Sequence, residues 1–298
     1  MAIVAARRPR SISVAGVVLA APYLVAVIWT LLTLLPIIWM YSSSLKTLPE
    51  YDLNPWLPTT NPQFVNYFDA WTGVIPGSDP RSTANIPLPF ATYLFNSVVA
   101  TGGSLALTLG IGILGAYALA RQRVFGYRLV MGILVFGLVV PSQALVLPIW
   151  FAERTLNLTD THLGLILAYV GTSLPFALLL FTAYFRGFPA ELEDAGRVDG
   201  ASELGILTRI VLPMSRGPIA AIGILLANGF WNEFLYALIL AQSHDSKTLG
   251  VGLYGFAGSH FTPYTVLLAA MGIATAPVLI LYLIFQRQIT NADIELVR

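Results

Sequence analysis

The 298-residue chain contains no cysteine, which excludes disulfides, thiol nucleophiles and cysteine-bound metals. Charge is scarce too: 10% of residues are Asp, Glu, Lys or Arg, against about 25% in a soluble domain. A net charge of +1 says nothing about nucleic acid; the distribution of the basic residues matters instead. No GxxxxGK[ST] loop is present, so ATP is not bound by that route, and neither HExxH nor a GxSxG elbow occurs. His244 and His260 lack ligand spacing and read as surface residues.

What is abundant is apolar: 56% of residues are hydrophobic, and six segments are long enough to span a bilayer. They run over 14–41, 91–120, 127–150, 163–185, 217–240 and 264–286, with prolines at 22, 36, 141, 148, 175 and 277 inside or near them. Membrane helices tolerate such prolines. Arg7, Arg8 and Arg10 precede the first run as they would in a signal peptide, but the run is too long for one and reads as a retained span. The expectation is an all-α integral membrane protein of six transmembrane helices with both termini cytoplasmic. Residues 1–13 form a cytoplasmic tail and 14–298 a single domain. In that orientation twelve basic residues lie inside and four outside (Lys46, Arg81, Arg154 and Lys247), a clear positive-inside bias.

One stretch breaks the apolar pattern. Glu191, Glu193, Asp194, Arg197, Asp199 and Glu203 put six charges into the fifteen residues from Pro189 to Glu203. Immersing them would cost on the order of 15–20 kcal/mol, so the stretch lies outside the lipid. Its signals are helical: Pro189 as the first helical residue, acids in the first turn, and Gly200 as a left-handed terminator. Ser202 then caps a second short helix carrying Leu204, Leu207 and Val211, which Pro213 stops.

The spacing Asp194-Ala195-Gly196, three residues, Gly200, nine residues, Ile210-x-Leu212-Pro213 resembles the EAA loop of bacterial ABC-importer permeases. Asp194 stands where that family has Glu, and Gly196 where it has a second Ala. The second departure loosens a helix by about 1 kcal/mol. The resemblance implies that Glu191, Glu193, Asp194, Ala195, Gly196, Asp199, Gly200, Ala201, Ile210, Leu212 and Pro213 form a loop that docks into a cytoplasmic ATPase. It further implies a non-catalytic subunit in the bacterial inner membrane, holding no cofactor itself, with ATP and Mg on the partner. The expected partners are a second permease chain in a heterodimer, two ATP-binding subunits and an extracytoplasmic solute-binding protein.

Other stretches resemble the carbohydrate-uptake, maltose-type subgroup: Phe64-Val-Asn-Tyr67, Phe95-Asn-Ser97, Ala116-Tyr-Ala-Leu-Ala-Arg121, Val140-Pro-Ser-Gln143, Leu147-Pro148 and Trp231-Asn-Glu-Phe-Leu235. Glu233 is the only carboxylate placed within a span, and an acid there is a functional candidate by default. Asn228, Trp231, Asn232 and Glu233 are candidates for the solute pathway; the alternative for Glu233 is local pairing that fixes the bundle. Ser142 and Gln143 either face that pathway or bond a neighbouring helix across Pro141. Trp56, Phe64, Tyr67, Phe68 and Trp71 fit interfacial anchors. Gly252, Tyr254, Gly255 and Phe256 in the outer loop 241–263 are candidates for contact with the binding protein, on the resemblance. The C-terminal Asn291-Ala-Asp-Ile-Glu-Leu-Val-Arg298 departs from the subgroup's glycine-rich tail.

Two GxGxxG matches, Gly110–Gly115 and Gly250–Gly255, lack the strand a dinucleotide fold needs. The first reads as small residues for close helix packing. The competing function is a stand-alone secondary transporter or channel, which would carry paired intramembrane charges or inverted repeats. A single in-span acid and no visible duplication speak against it.

Overall fold

A computed structural model describes residues 14–73, 89–121, 125–257 and 263–296, all helix, turn or loop with no strand among them. The tail 1–13 and His260 lie outside the described residues, as do the side chains of Phe256 and of 284–296. Lipid cannot satisfy backbone N–H and C=O groups, so long apolar stretches must close their hydrogen bonds internally as helices. Among the described residues three helices are long and apolar enough to cross a bilayer: α1 (Val14–Ser44, over its stretch Pro22–Ser44), α4 (Phe90–Ala120) and α7 (His162–Arg186). Pro22 and Pro36 sit inside α1, and Pro175 inside α7. Between α1 and α4 lie two short helices, α2 (Leu48–Leu53) and α3 (Val65–Thr72).

Two expected spans are broken. Segment 127–150 forms α5 (Tyr127–Val139) and α6 (Ser142–Thr155), bent by 104°. Pro141 has no N–H and disfavours helix at the residue before it, and Val140 is extended at φ −70°, ψ 119°. Segment 217–240 forms α11 (Arg216–Trp231) and α12 (Leu235–Leu240), interrupted at 232–234. Before them come α8 (Ala190–Val198), α9 (Glu203–Ile206), a π-helical turn (Leu207–Val211) and α10 (Leu212–Met214). The run α9–α10 meets α11 at 80°. With each bent pair taken as one span the total reaches five by length and composition. The final helix, α14 (Tyr264–Leu296), is apolar over Tyr264–Ile280.

The α4–α7 pair is the spine, with α11 on both helices, α5 on α7 and α12 on α6 and α7. Glycine allows the close approach. A Cβ on Gly112 would meet Phe181 and Ala177 at 3.5 and 3.6 Å, and one on Gly115 would meet Leu178 at 2.8 Å. Gly110 faces open space, so two of the three glycines in that stretch serve the packing. Tyr117, Phe181 and Phe185 fill the core beside them. A second cluster joins Phe90 and Tyr93 of α4 to Val266 and Ala269 of α14. Residues 22–38 of α1 are exposed throughout, and only its end near Met40 is buried.

At the end of the molecule away from α8, two asparagines fix irregular backbone. Asn66 Nδ2 donates to the carbonyls of Ser44 and Lys46, both at 2.8 Å. Asn96 Nδ2 donates to those of Asp245 and Lys247, at 2.7 and 2.9 Å. Lys46 is itself fully buried, its Nζ donating to the carbonyls of Asn54 and Pro55. Irregular backbone needs such partners wherever water is excluded. The glycine-rich loop expected after α12 is instead helical over α13 (Leu249–Ala257). Gly252 lets it lie against α4, because a Cβ there would strike the Tyr93 ring at 2.6 Å.

Replacing Gly112 with Leu should force α4 and α7 apart and cost roughly 1–3 kcal/mol, whereas Gly110→Leu should cost little. Thermal unfolding in mild detergent reads the difference; equal melting temperatures would contradict the packing role.

Candidate functional site

The charged stretch is an elbow of two short helices. Glu191 and Glu193 lie in the first turn of α8 and Arg197 in its last, matching the helix dipole. Gly200 turns the chain at φ +78°, a conformation open to glycine and strained for most side chains. The Ser202 hydroxyl caps α9, accepting from the Gly205 N–H at 3.2 Å. Pro213 does not stop the second helix as expected: it lies within α10, and the chain turns at buried Ser215. The π-helical turn ahead of it widens the spiral where the proline ring would otherwise crowd the preceding carbonyls.

The elbow's two halves are pressed and bridged together. A Cβ on Gly196 would come within 2.8 Å of Ile210 Cδ1 and 3.3 Å of Ile206 Cγ1, which accounts for the missing methyl at that position. Arg197 bridges α8 to α9, bonding Asp194 Oδ1 at 2.5 Å and Glu203 Oε1 at 3.1 Å. The hydrogen bond that Arg197 donates to Glu203, with Asp194 beside it, raises the guanidinium pKa further above its already high ordinary value. Ala201 and Leu212 are half-buried and pack on the core, while Glu191, Ala195 and Asp199 face outwards.

Glu193 behaves differently from its neighbours. Its side chain is 1% exposed and turns into the protein rather than outwards. Arg121, the residue that ends α4, grips it with both Nη2 and Nε, the latter at 3.0 Å. The Tyr117 hydroxyl donates at 3.3 Å, and so does Arg197 Nη2. Of the expected apolar face, Leu207 and Val211 are buried, but Leu204 is 62% exposed and Val198 on α8 is 88% exposed. Both apolar side chains thus stand on the open surface of the elbow.

The second candidate region is the break between α11 and α12. Glu233 accepts from the N–H groups of Tyr236 (3.0 and 3.1 Å) and Ala237 (3.2 Å), so its carboxylate caps α12. The buried Tyr169 hydroxyl lies against the same carboxylate without a hydrogen bond of ordinary geometry. Asn232 Nδ2 bonds the Asn228 carbonyl and Oδ1, at 2.8 and 3.0 Å. Trp231, Asn232 and Glu233 line an open, mainly apolar cavity of about 340 Å³ with Ile37, Leu253 and Leu279. Ser142 and Gln143 are exposed at the start of α6, away from that cavity; the Ser142 carbonyl accepts from the Tyr236 hydroxyl at 2.6 Å. Tyr254 and Gly255 are exposed on α13.

Sequence reasoning missed three groups. Arg121 stood out only as the end of the subgroup-like stretch Ala116–Arg121 and as one of the inside basic residues, with nothing to name its partner. Glu153, in the last turn of α6, is a buried acid like Glu193 and Asp69, and both of its oxygens lack a hydrogen-bond partner. Asp160 holds the loop after α12, accepting from the N–H of Ser243 and the hydroxyl of Ser246. Burial pushes its carboxyl pKa up, but these bonds together outweigh that and hold it below the usual carboxylate range.

Residues 108–292 match the family described as binding-protein-dependent transport system inner membrane component. The chain belongs to that family. It is 31% identical to the diacetylchitobiose uptake system permease protein NgcG of Streptomyces coelicolor, over 92% of this chain and 86% of that one. It is 34% identical to the sulfoquinovosyl glycerol transport system permease protein SmoH of Agrobacterium fabrum, over 87% and 86%. Its fold matches a chain of a bacterial ABC transporter involved in alginate import, with TM-score 0.75, 25% identity, and 95% and 99% of the two chains covered. In this inner membrane component the elbow is therefore built from the α8–α10 stretch, pinned to its own bundle through Glu193.

Nothing lies within 4 Å of a Cβ at Gly200, so any penalty for substitution there comes from the backbone alone. Gly200→Val should cost about 1–3 kcal/mol, while Gly200→Asn, which tolerates the left-handed region, should cost less. Melting of the purified chain tests this ordering; a neutral Gly200→Val would refute it.

Proposed function

We propose that the chain is the permease subunit of a carbohydrate ABC importer, forming half of the translocation pathway beside a second permease. Six spans carry it across the membrane with both termini cytoplasmic, the bent pair α5–α6 and the interrupted pair α11–α12 serving as the third and fifth. Two ATPase subunits work the pore from the cytoplasm, and a binding protein delivers solute from outside. The chain performs no catalysis; ATP and Mg belong to the ATPases. Sugars, oligosaccharides and related polyols are the solute class, because the similar permeases are named for diacetylchitobiose, sulfoquinovosyl glycerol and trehalose.

One observation carries the coupling part of this reading. The elbow is too charged for lipid, yet it presents Val198 and Leu204 uncovered. Exposed apolar side chains on a polar, lipid-excluded helix suit the cleft of another protein. Binding there lets nucleotide-driven closure of the ATPases swing the elbow and alternate the access of the pathway. That pathway includes the α11–α12 break, where Trp231 offers a ring face for a sugar while Asn228, Asn232 and Glu233 offer polar partners.

Val198→Asp with Leu204→Asp should abolish recovery of the ATPase with the tagged permease, yet leave the permease's own melting within about 0.5 kcal/mol, as for other surface changes. Full ATPase recovery by that variant would contradict the docking role. Solute flux through the purified chain alone, without nucleotide, would favour a stand-alone transporter instead.

A further inference from the structure

The elbow joins α7 covalently through Gly187, Phe188 and Pro189; Phe188 is buried in the core, while Gly187 and Pro189 are exposed. Leu207 and Val211 also pack into that core, but apolar contact is non-directional and lets the elbow slide under a push. A directional attachment would remove that freedom. Glu193 provides one, because Arg121 and Tyr117, which hold its carboxylate, both belong to the end of α4. The pair is bidentate and buried, which fixes orientation as well as distance.

The opposite end of α4 is fastened as well. Asn96 holds the Asp245 and Lys247 carbonyls, and the Ser97 hydroxyl accepts the Leu249 N–H at 2.8 Å, at the first residue of α13. Asn96 Oδ1 also meets His162 Nε2 at 2.8 Å, tying in the start of α7. The 31 residues of α4 span roughly 45 Å at helical rise. They carry no proline, and the helix packs along α7.

We propose that α4 is a connecting rod: the Arg121–Glu193 pair is its joint to the ATPase-driven elbow, and Asn96 with Ser97 is its joint to α13. Movement of the elbow then reaches the face where the binding protein docks through α4, in addition to the covalent path through α7. Arg121 and Glu193 are positioning residues in this scheme, and the inference rests on the elbow being the ATPase docking element.

The absence of cysteine makes the test direct. A reporter cysteine is placed at exposed Asp245, and the permease is assembled with its ATPases and second permease in nanodiscs. Labelling by a membrane-impermeant maleimide is timed with and without Mg-ATP and orthovanadate. The nucleotide-dependent change in labelling rate should fall about fivefold or more in Glu193→Gln and Arg121→Gln, although both complexes still hydrolyse ATP. Arg121→Lys, which keeps a cation at the joint, should retain part of it. Two results overturn the rod: a full labelling response in hydrolysing Glu193→Gln, or an Arg121→Lys complex as unresponsive as Arg121→Gln. A purely structural role would reduce the amount of complex while leaving the response per complex intact, which also counts against it. Failure of the unsubstituted chain to retain an ATPase would overturn the elbow reading itself.

Discussion

Burying a carboxylate at the foot of an apolar bundle is costly without a cation beside it, and Glu193 has Arg121. Removing one member of such a buried pair leaves an uncompensated charge at a cost of roughly 3–5 kcal/mol. That penalty is what keeps α8 against the end of α4 rather than free in the surrounding water. The remaining acids of the stretch have no such constraint: Glu191 and Asp199 face outwards, while Asp194 and Glu203 are drawn together by Arg197. One helix turn therefore has two characters, an inner face bonded to the bundle and an outer face that leaves Val198 bare.

The opposite end obeys the same electrostatic logic with neutral groups. Chain that leaves a helix among packed neighbours has to satisfy its carbonyls, and side-chain amides do so two at a time. Asn66 and Asn96 each serve a pair of carbonyls, and buried Lys46 serves a further pair. The subgroup-like stretches Phe64-Val-Asn-Tyr67 and Phe95-Asn-Ser97 thus contain clamp residues. The rings between α1 and α4 divide: Tyr67 is half-buried and hydrogen-bonded to Ser44, whereas Trp56, Phe64 and Phe68 stand exposed.

Much of the elbow was legible because its determinants are local. Acids in a first turn, a glycine turn and a serine cap act within a few residues, and each stands where the spacing put it. Leu204 was misplaced because four helical residues followed by a π turn shift the buried face away from ideal periodicity. The breaks between α5 and α6 and between α11 and α12 were less visible. Pro141 signals the first, but the second depends on Glu233 turning back onto the amides of α12, and hydropathy averaged over a window hides it. Arg121 as the partner of Glu193 was illegible, since 72 residues separate them and only the α4–α7 packing brings them together.

The central claim is that this polar elbow projects from the cytoplasmic side as a handle for another protein. The most direct measurement places a single cysteine at Val198 in the otherwise cysteine-free chain. An impermeant maleimide is then applied to right-side-out and to inside-out membrane vesicles. The account predicts labelling in inside-out vesicles, and its suppression when the ATPase is bound. Labelling of right-side-out vesicles instead would place the elbow on the wrong face of the membrane and contradict the account.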